Sequence, residues 1–208
     1  MTTPTRSSAD LQATPARDAS AAIIRWARLA VVAVMAIVGW KSFHGDHGLA
    51  TFLIDSIDLA VHEAGHIVFI AFGDTLHTLG GSLFEVTFPL CFVVYFLRRQ
   101  PRDVHAATVG VWWSSIALLD VSVYMADARA RQLMLITGGN GDESDGHDWY
   151  HLFAKWHVLR LDTRIAAGAH AVAWLMCVGS IVVGAYSAWQ TGTSTAGSGN
   201  GTRDAGMA

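Results

Sequence analysis

Three residues within five positions carry the chemistry of this sequence: His62, Glu63 and His66, in the stretch His62-Glu63-Ala64-Gly65-His66. Two histidines four apart differ by only about 40° around a helix axis, so both imidazoles reach one metal ion. Glu63 projects from a neighbouring strip, where its carboxylate can activate a metal-bound water. This is the H-E-x-x-H pattern of zinc hydrolases, two ligands and a general base on one helical turn. The competing reading is a pair of core histidines hydrogen-bonded between helices, and it gives Glu63 nothing to do.

A catalytic zinc takes three protein ligands and keeps a fourth position for water. Two residues compete for the third place. Asp120 is a carboxylate deep in an apolar run, and such groups are functional by default in a membrane; its structural reading is a partner for a buried Tyr or His. His147 lies in Gly146-His147-Asp148-Trp149, where a glycine-rich backbone can fold back over the site. Asp148 can orient that imidazole or ligate in its place. The slight preference is for His147, with Asp120 kept open and His151 a weaker option. Asp55, Asp58, Glu85 and Asp127 read as a buried network holding the histidines, and the remaining histidines as structural.

The elements that must position these groups are membrane helices. Hydrophobic residues make up 52% of the 208 and charged residues only 15%, with a mean hydropathy of +0.35. That balance fits a polytopic membrane protein better than a soluble enzyme. The net charge of −3 without a basic block excludes nucleic acid as a partner. The two cysteines, Cys91 and Cys177, both lie in apolar runs and read as buried free thiols.

The expected fold is all-α, with about five transmembrane helices and a polar loop near the metal site. The spans are Ile23–Trp40, Leu49–Phe72, Ser82–Leu97, Val104–Met125 and Ile165–Trp189, with Gly73–Gly81 a turn. Residues 1–20 and 191–208 read as disordered tails around a transmembrane metallohydrolase domain at 21–190. A short amphipathic helix is expected over Trp149–Leu159. The second span is not a lipid-facing helix: Asp55, Asp58, His62 and His66 fall within about 80° of one another. Charges at membrane depth cost at least about 2.5 kcal/mol each, so this stripe must face protein or water.

Five spans place the termini on opposite sides. Basic residues favour a cytoplasmic N-terminus, and the Arg98-Arg99-Gln100-Pro101-Arg102 loop argues against it. This topology gathers the polar groups at the cytoplasmic third of a bacterial-type inner or cell membrane.

An H-E-x-x-H motif inside a transmembrane helix resembles the site-2 protease family of intramembrane zinc metalloproteases. The likeness covers the second span and extends to the fourth. It implies a third ligand from an aspartate within Leu-Asp-Gly of a later helix; here Leu119-Asp120-Val121 stands at a comparable position without the glycine. It also implies hydrolysis of a peptide bond within the membrane. The expected function is therefore an integral-membrane zinc metalloprotease, with Glu63 activating a zinc-bound water. Its partners are the lipid bilayer and a membrane-embedded peptide or amphiphile substrate. The alternatives are a zinc-dependent hydrolase of a lipid or small amphiphile, and a non-enzymatic metal-binding or transport protein using the Asp55–His66 stripe as a path.

Overall fold

A computed structural model describes residues 8–45, 48–133 and 146–191. It is helical throughout, with no strand among the described residues. Helices α1 (Ser8–Phe43), α2 (Leu49–Phe69), α3 (Asp74–Arg98) and α4 (Val104–Ala126) are followed by the short α5 (Asp148–Lys155) and the long α6 (Asp162–Gln190). Single 3₁₀ turns at Ile70–Phe72 and Leu159–Leu161 join α2 to α3 and α5 to α6. Among the described residues there are five long helices, near the expected count of about five transmembrane helices. Four of them, at Ala19–Phe43, Asp74–Arg98, Val104–Ala126 and within Leu159–Gln190, are long and apolar enough to cross a membrane. α2 differs in carrying Asp55, Asp58 and Glu63 within its 21 residues.

Helix α1 begins at Ser8, inside the stretch expected to be disordered. The alanines of that stretch are strong helix formers and extend the apolar helix that follows. The glycine-rich segment 134–145 and the tail 192–208 lie outside the described residues.

The bundle is built around α4, of which 61% of the span is buried against 17% for α1 and 28% for α3. Small and hydroxylated residues let its neighbours approach, as expected where lipid gives no hydrophobic drive between helices. Ser114 Oγ donates to Val86 O of α3 at 2.8 Å. Trp112 Nε1 donates to Met35 O of α1 at 3.0 Å. Met35, Val38, Trp112, Ile116 and Cys177 form one apolar cluster across α1, α4 and α6.

These contacts set the direction of each helix. Arg28 of α1 reaches Asp103, the N-cap of α4, at 3.3 Å, and Thr191 at the end of α6 at 2.7 Å. Phe43 at the other end of α1 packs on His170, early in α6. So α1 runs parallel to α4 and antiparallel to α6. Helix α3 runs antiparallel to α4, since Asp103 N donates to Phe96 O and Trp149, beside the end of α4, donates to Ser82 near the start of α3. Helix α1 therefore ends, and α3 begins, at the same end of the bundle. Helix α2 enters and leaves there and completes no crossing. A stripe of carboxylates and imidazoles is cheaper to hold near a membrane surface than across the hydrocarbon.

Five crossings would place the termini on opposite sides, whereas in the described residues Arg28 of α1 and Thr191 at the end of α6 meet at one end of the bundle. The histidines lie toward the end opposite Arg28, while Asp58, bonded to Trp113 midway along α4, and Glu85, midway along α3, lie deeper. The Arg98–Arg102 loop, which counted against a cytoplasmic N-terminus, lies at the same end of the bundle as Arg28, with Arg102 and Arg28 lining one pocket. Reporter fusions at residue 1 and residue 208 are expected to read out on the same side of the membrane; opposite readouts would restore the five-crossing course.

Candidate metal centre

Helix α2 presents His62 and His66 to α3 across a very close helix contact. A Cβ on Gly65 would lie 2.3 Å from Gly80 O and 2.7 Å from Phe84 Cβ, so only glycine lets the two backbones meet. The segment expected to be a turn, Gly73–Gly81, is helical from Asp74 onward. Gly73, at φ +86°, makes the reversal, and Gly80 and Gly81 serve packing instead.

Each histidine has its Nδ1 committed. His62 Nδ1 lies 2.8 Å from Glu85 Oε2, and His66 Nδ1 lies 2.8 Å from the backbone oxygen of His77. Both partners are acceptors, so each ring donates from Nδ1, and Nε2 is the nitrogen each neutral ring offers to a metal. Both Nε2 atoms face one carboxylate oxygen: Asp148 Oδ2 is 3.2 Å from His62 Nε2 and 3.2 Å from His66 Nε2. One ligand atom from each of the three residues lies within 4.8 Å of the others. A tetrahedron with bonds of about 2.0 Å has edges of about 3.3 Å. A Cβ on Gly81 would intrude here too, 2.5 Å from His62 Nε2 and 2.6 Å from His66 Nε2. The absence of a side chain at Gly81 leaves a cradle between the two nitrogens. Two imidazoles and a carboxylate around such a cradle fit a zinc ion in donor type and spacing.

Asp148 is delivered by α5. Trp149, Leu152 and Phe153 of that helix pack against Val121, Met125, Ala128 and Ala166. Burying three such side chains is worth roughly 2 kcal/mol each. Trp149 Nε1 also donates to Ser82 Oγ at 3.0 Å. The amphipathic helix expected over Trp149–Leu159 is thus present, beginning one residue earlier and ending at Lys155. Asp148 N donates to the Tyr124 hydroxyl at 3.0 Å, which ties the ligand-bearing turn to α4. Burial opposes ionisation of Asp148, but its contacts with His62 and His66 outweigh burial and hold the carboxyl below its ordinary range.

His147 takes a different part. Its Nδ1 accepts from Tyr150 N at 3.3 Å and so caps α5. Its ring lies against Tyr124, with centroids 4.4 Å apart. Its Nε2 is 3.4 Å from Asp127 Oδ2, without hydrogen-bond alignment. Burial lowers the imidazole's affinity for a proton, with the Asp127 charge pulling the other way. A ring used as a cap on one nitrogen and directed at Asp127 with the other does not join His62 and His66. Asp120 is also elsewhere: it groups with Asp58 and Glu85. Among the candidates for the third place, the structure brings Asp148 to the histidine pair.

Glu63 is half-buried, and among the described residues no side chain donates a hydrogen bond to it. Its carboxylate and that of Asp148 are both within electrostatic reach of the Tyr124 hydroxyl. Tyr124 escaped the sequence reading as a site residue. The only signal was its place on one face of α4 with Trp113, Asp120 and Asp127.

No family model, curated protein or solved structure matches this chain.

Proposed function

We propose that this membrane protein is a zinc-dependent hydrolase, and most specifically a metallopeptidase acting on a peptide bond at the membrane. One observation carries the reading: the Nε2 atoms of His62 and His66 converge on Asp148 Oδ2 while both Nδ1 atoms are held by acceptors. The donor types, two imidazoles and one aspartate, are those implied by the resemblance to site-2 proteases, with Asp148 in the place expected for Asp120.

Zinc bound there supplies Lewis acidity toward a carbonyl and lowers the pKa of a coordinated water. The chain's own residues do the rest. Glu63 accepts the proton of the attacking water as oxygen adds to the carbonyl carbon. It returns that proton to the leaving nitrogen as the C–N bond breaks. Glu85 and the His77 carbonyl keep both imidazoles in the ligating tautomer. Tyr124 and the buried face of α5 fix Asp148. The lipid-facing side of α2 and its following turn, with Ile67, Val68, Ile70 and Phe72 exposed, suits an apolar substrate approaching from the bilayer. The cell membrane, with the N-terminus cytoplasmic, is the proposed location; the site then lies at the opposite face.

The test is Glu63→Gln in detergent-purified protein, with a quenched-fluorescent peptide carrying an apolar segment as probe. Loss of one general base is expected to slow cleavage about 10²–10⁴-fold with zinc content unchanged. Cleavage by the wild type should also stop with a chelator and return with Zn²⁺. Undiminished cleavage by Glu63→Gln would overturn the reading.

A further inference from the structure

Beside the histidine centre, and sharing Glu85 with it, lies a second polar cluster deeper in the bundle. Asp58 of α2, Glu85 of α3 and Asp120 of α4 each bring a carboxylate oxygen within 4.8 Å of the other two. Three helices thus converge on one point with three acidic groups and no basic one among them. Asp58 is 2% exposed and Glu85 5%.

Hydrogen bonds do not account for this cluster. Trp113 Nε1 donates to Asp58 Oδ1 at 2.6 Å, short even for a bond to an ionised acceptor. Asp58 Oδ2 is buried and has no hydrogen-bond partner. Were Oδ2 to carry a proton, it would be an unsatisfied donor; were it bare, an unsatisfied acceptor. Two carboxyl groups sharing a proton would sit about 2.5–2.7 Å apart and hydrogen-bond; Asp58 meets Glu85 and Asp120 only as like charges, with no hydrogen bond between them. A cation satisfies all three groups at once. Metal–oxygen bonds of about 2.1–2.5 Å place ligand oxygens roughly 3–5 Å apart. An all-oxygen, triply acidic donor set suits a hard divalent ion rather than a thiophilic one.

We infer that Asp58, Glu85 and Asp120 form a second cation site, for a hard divalent ion of the Mg²⁺ or Mn²⁺ class, adjoining the His62–His66–Asp148 centre through Glu85. Glu85 serves both, accepting at Oε2 from His62 Nδ1 while standing in the acidic cluster. The inference does not require hydrolysis: it holds whether or not the histidine centre is catalytic.

The test is Mn²⁺ titration of the detergent-purified full chain, with bound and free Mn²⁺ counted by electron paramagnetic resonance. Wild type and His66→Ala are each expected to bind one Mn²⁺ per chain. Asp120→Asn is expected to bind at least about tenfold more weakly, because ligand charge count sets affinity at such sites. Asp58→Asn, which preserves the Trp113 hydrogen bond, is expected to weaken binding equally and serves if Asp120→Asn fails to purify as a monodisperse species. No Mn²⁺ on the wild type would overturn the inference. So would Mn²⁺ lost in His66→Ala but kept in Asp120→Asn and Asp58→Asn, since the ion would then sit on the histidines.

Discussion

Asp148→Ala protein is expected to purify with zinc near background, as His62→Ala protein does, while His147→Ala and Asp120→Ala keep about one zinc per chain at the histidine centre. The expected loss of affinity exceeds the roughly 10–100-fold cost of removing an outer-shell partner, because a ligand itself is removed. Asp148 Oδ2 stands 3.2 Å from both Nε2 atoms, and its side chain has no other described partner. Helix α5 keeps its anchors in this variant: Trp149, Leu152 and Phe153 remain buried, and the cap at His147 is untouched. The loss would therefore report on ligation and not on an undocked helix. In His147→Ala the cap goes, costing about 1 kcal/mol, but both Nε2 atoms and the carboxylate stay. Zinc analysis of the four variants decides the matter. Zinc lost in Asp120→Ala and retained in Asp148→Ala would sink the assignment.

Gly81→Ala is expected to abolish zinc binding without removing any ligand. The added methyl would lie 2.5 Å from His62 Nε2, 2.6 Å from its Cδ2 and 2.6 Å from His66 Nε2. The rings cannot swing away freely, because each is held through Nδ1. Either the methyl fills the cradle or α2 and α3 part, and overpacking of this kind costs about 1–3 kcal/mol. Gly179→Ala is the control. That glycine lies on α6 with nothing within 4 Å of an added Cβ, so the same change there should leave zinc content as in the wild type and stabilise the helix slightly. Wild-type zinc stoichiometry in Gly81→Ala would show that the space between the two nitrogens is not where the ion binds.

Much of this protein was legible along the chain because it depends on local periodicity. A helix places residues 62 and 66 side by side wherever it sits. Apolar runs of membrane length mark helices, and the expected spans fall within α1, α3, α4 and α6. The polar stripe through Asp55, Asp58, His62 and His66 announced that α2 could not face lipid all round. The amphipathic pattern after Trp149 marked α5 to within a few residues.

Three features needed the tertiary structure. The first is the course of α2. Hydropathy measures how well a segment tolerates the bilayer, while its direction depends on which helix ends meet, and here Arg28 beside Asp103 and Thr191 decides it. The second is the pair Gly80–Gly81. A glycine looks the same in sequence whether the chain turns there or another backbone presses against it, and only the approach of Gly65 distinguishes the two. The third is the choice between His147 and Asp148. One step at a helix start rotates a side chain by about 100°, so adjacent residues point to different neighbours. Composition and spacing determined that the His62–His66 pair can take a metal and that it lies in a membrane setting. Packing of α5 onto α4 determined that the carboxylate of Asp148, and not the ring of His147, faces that pair.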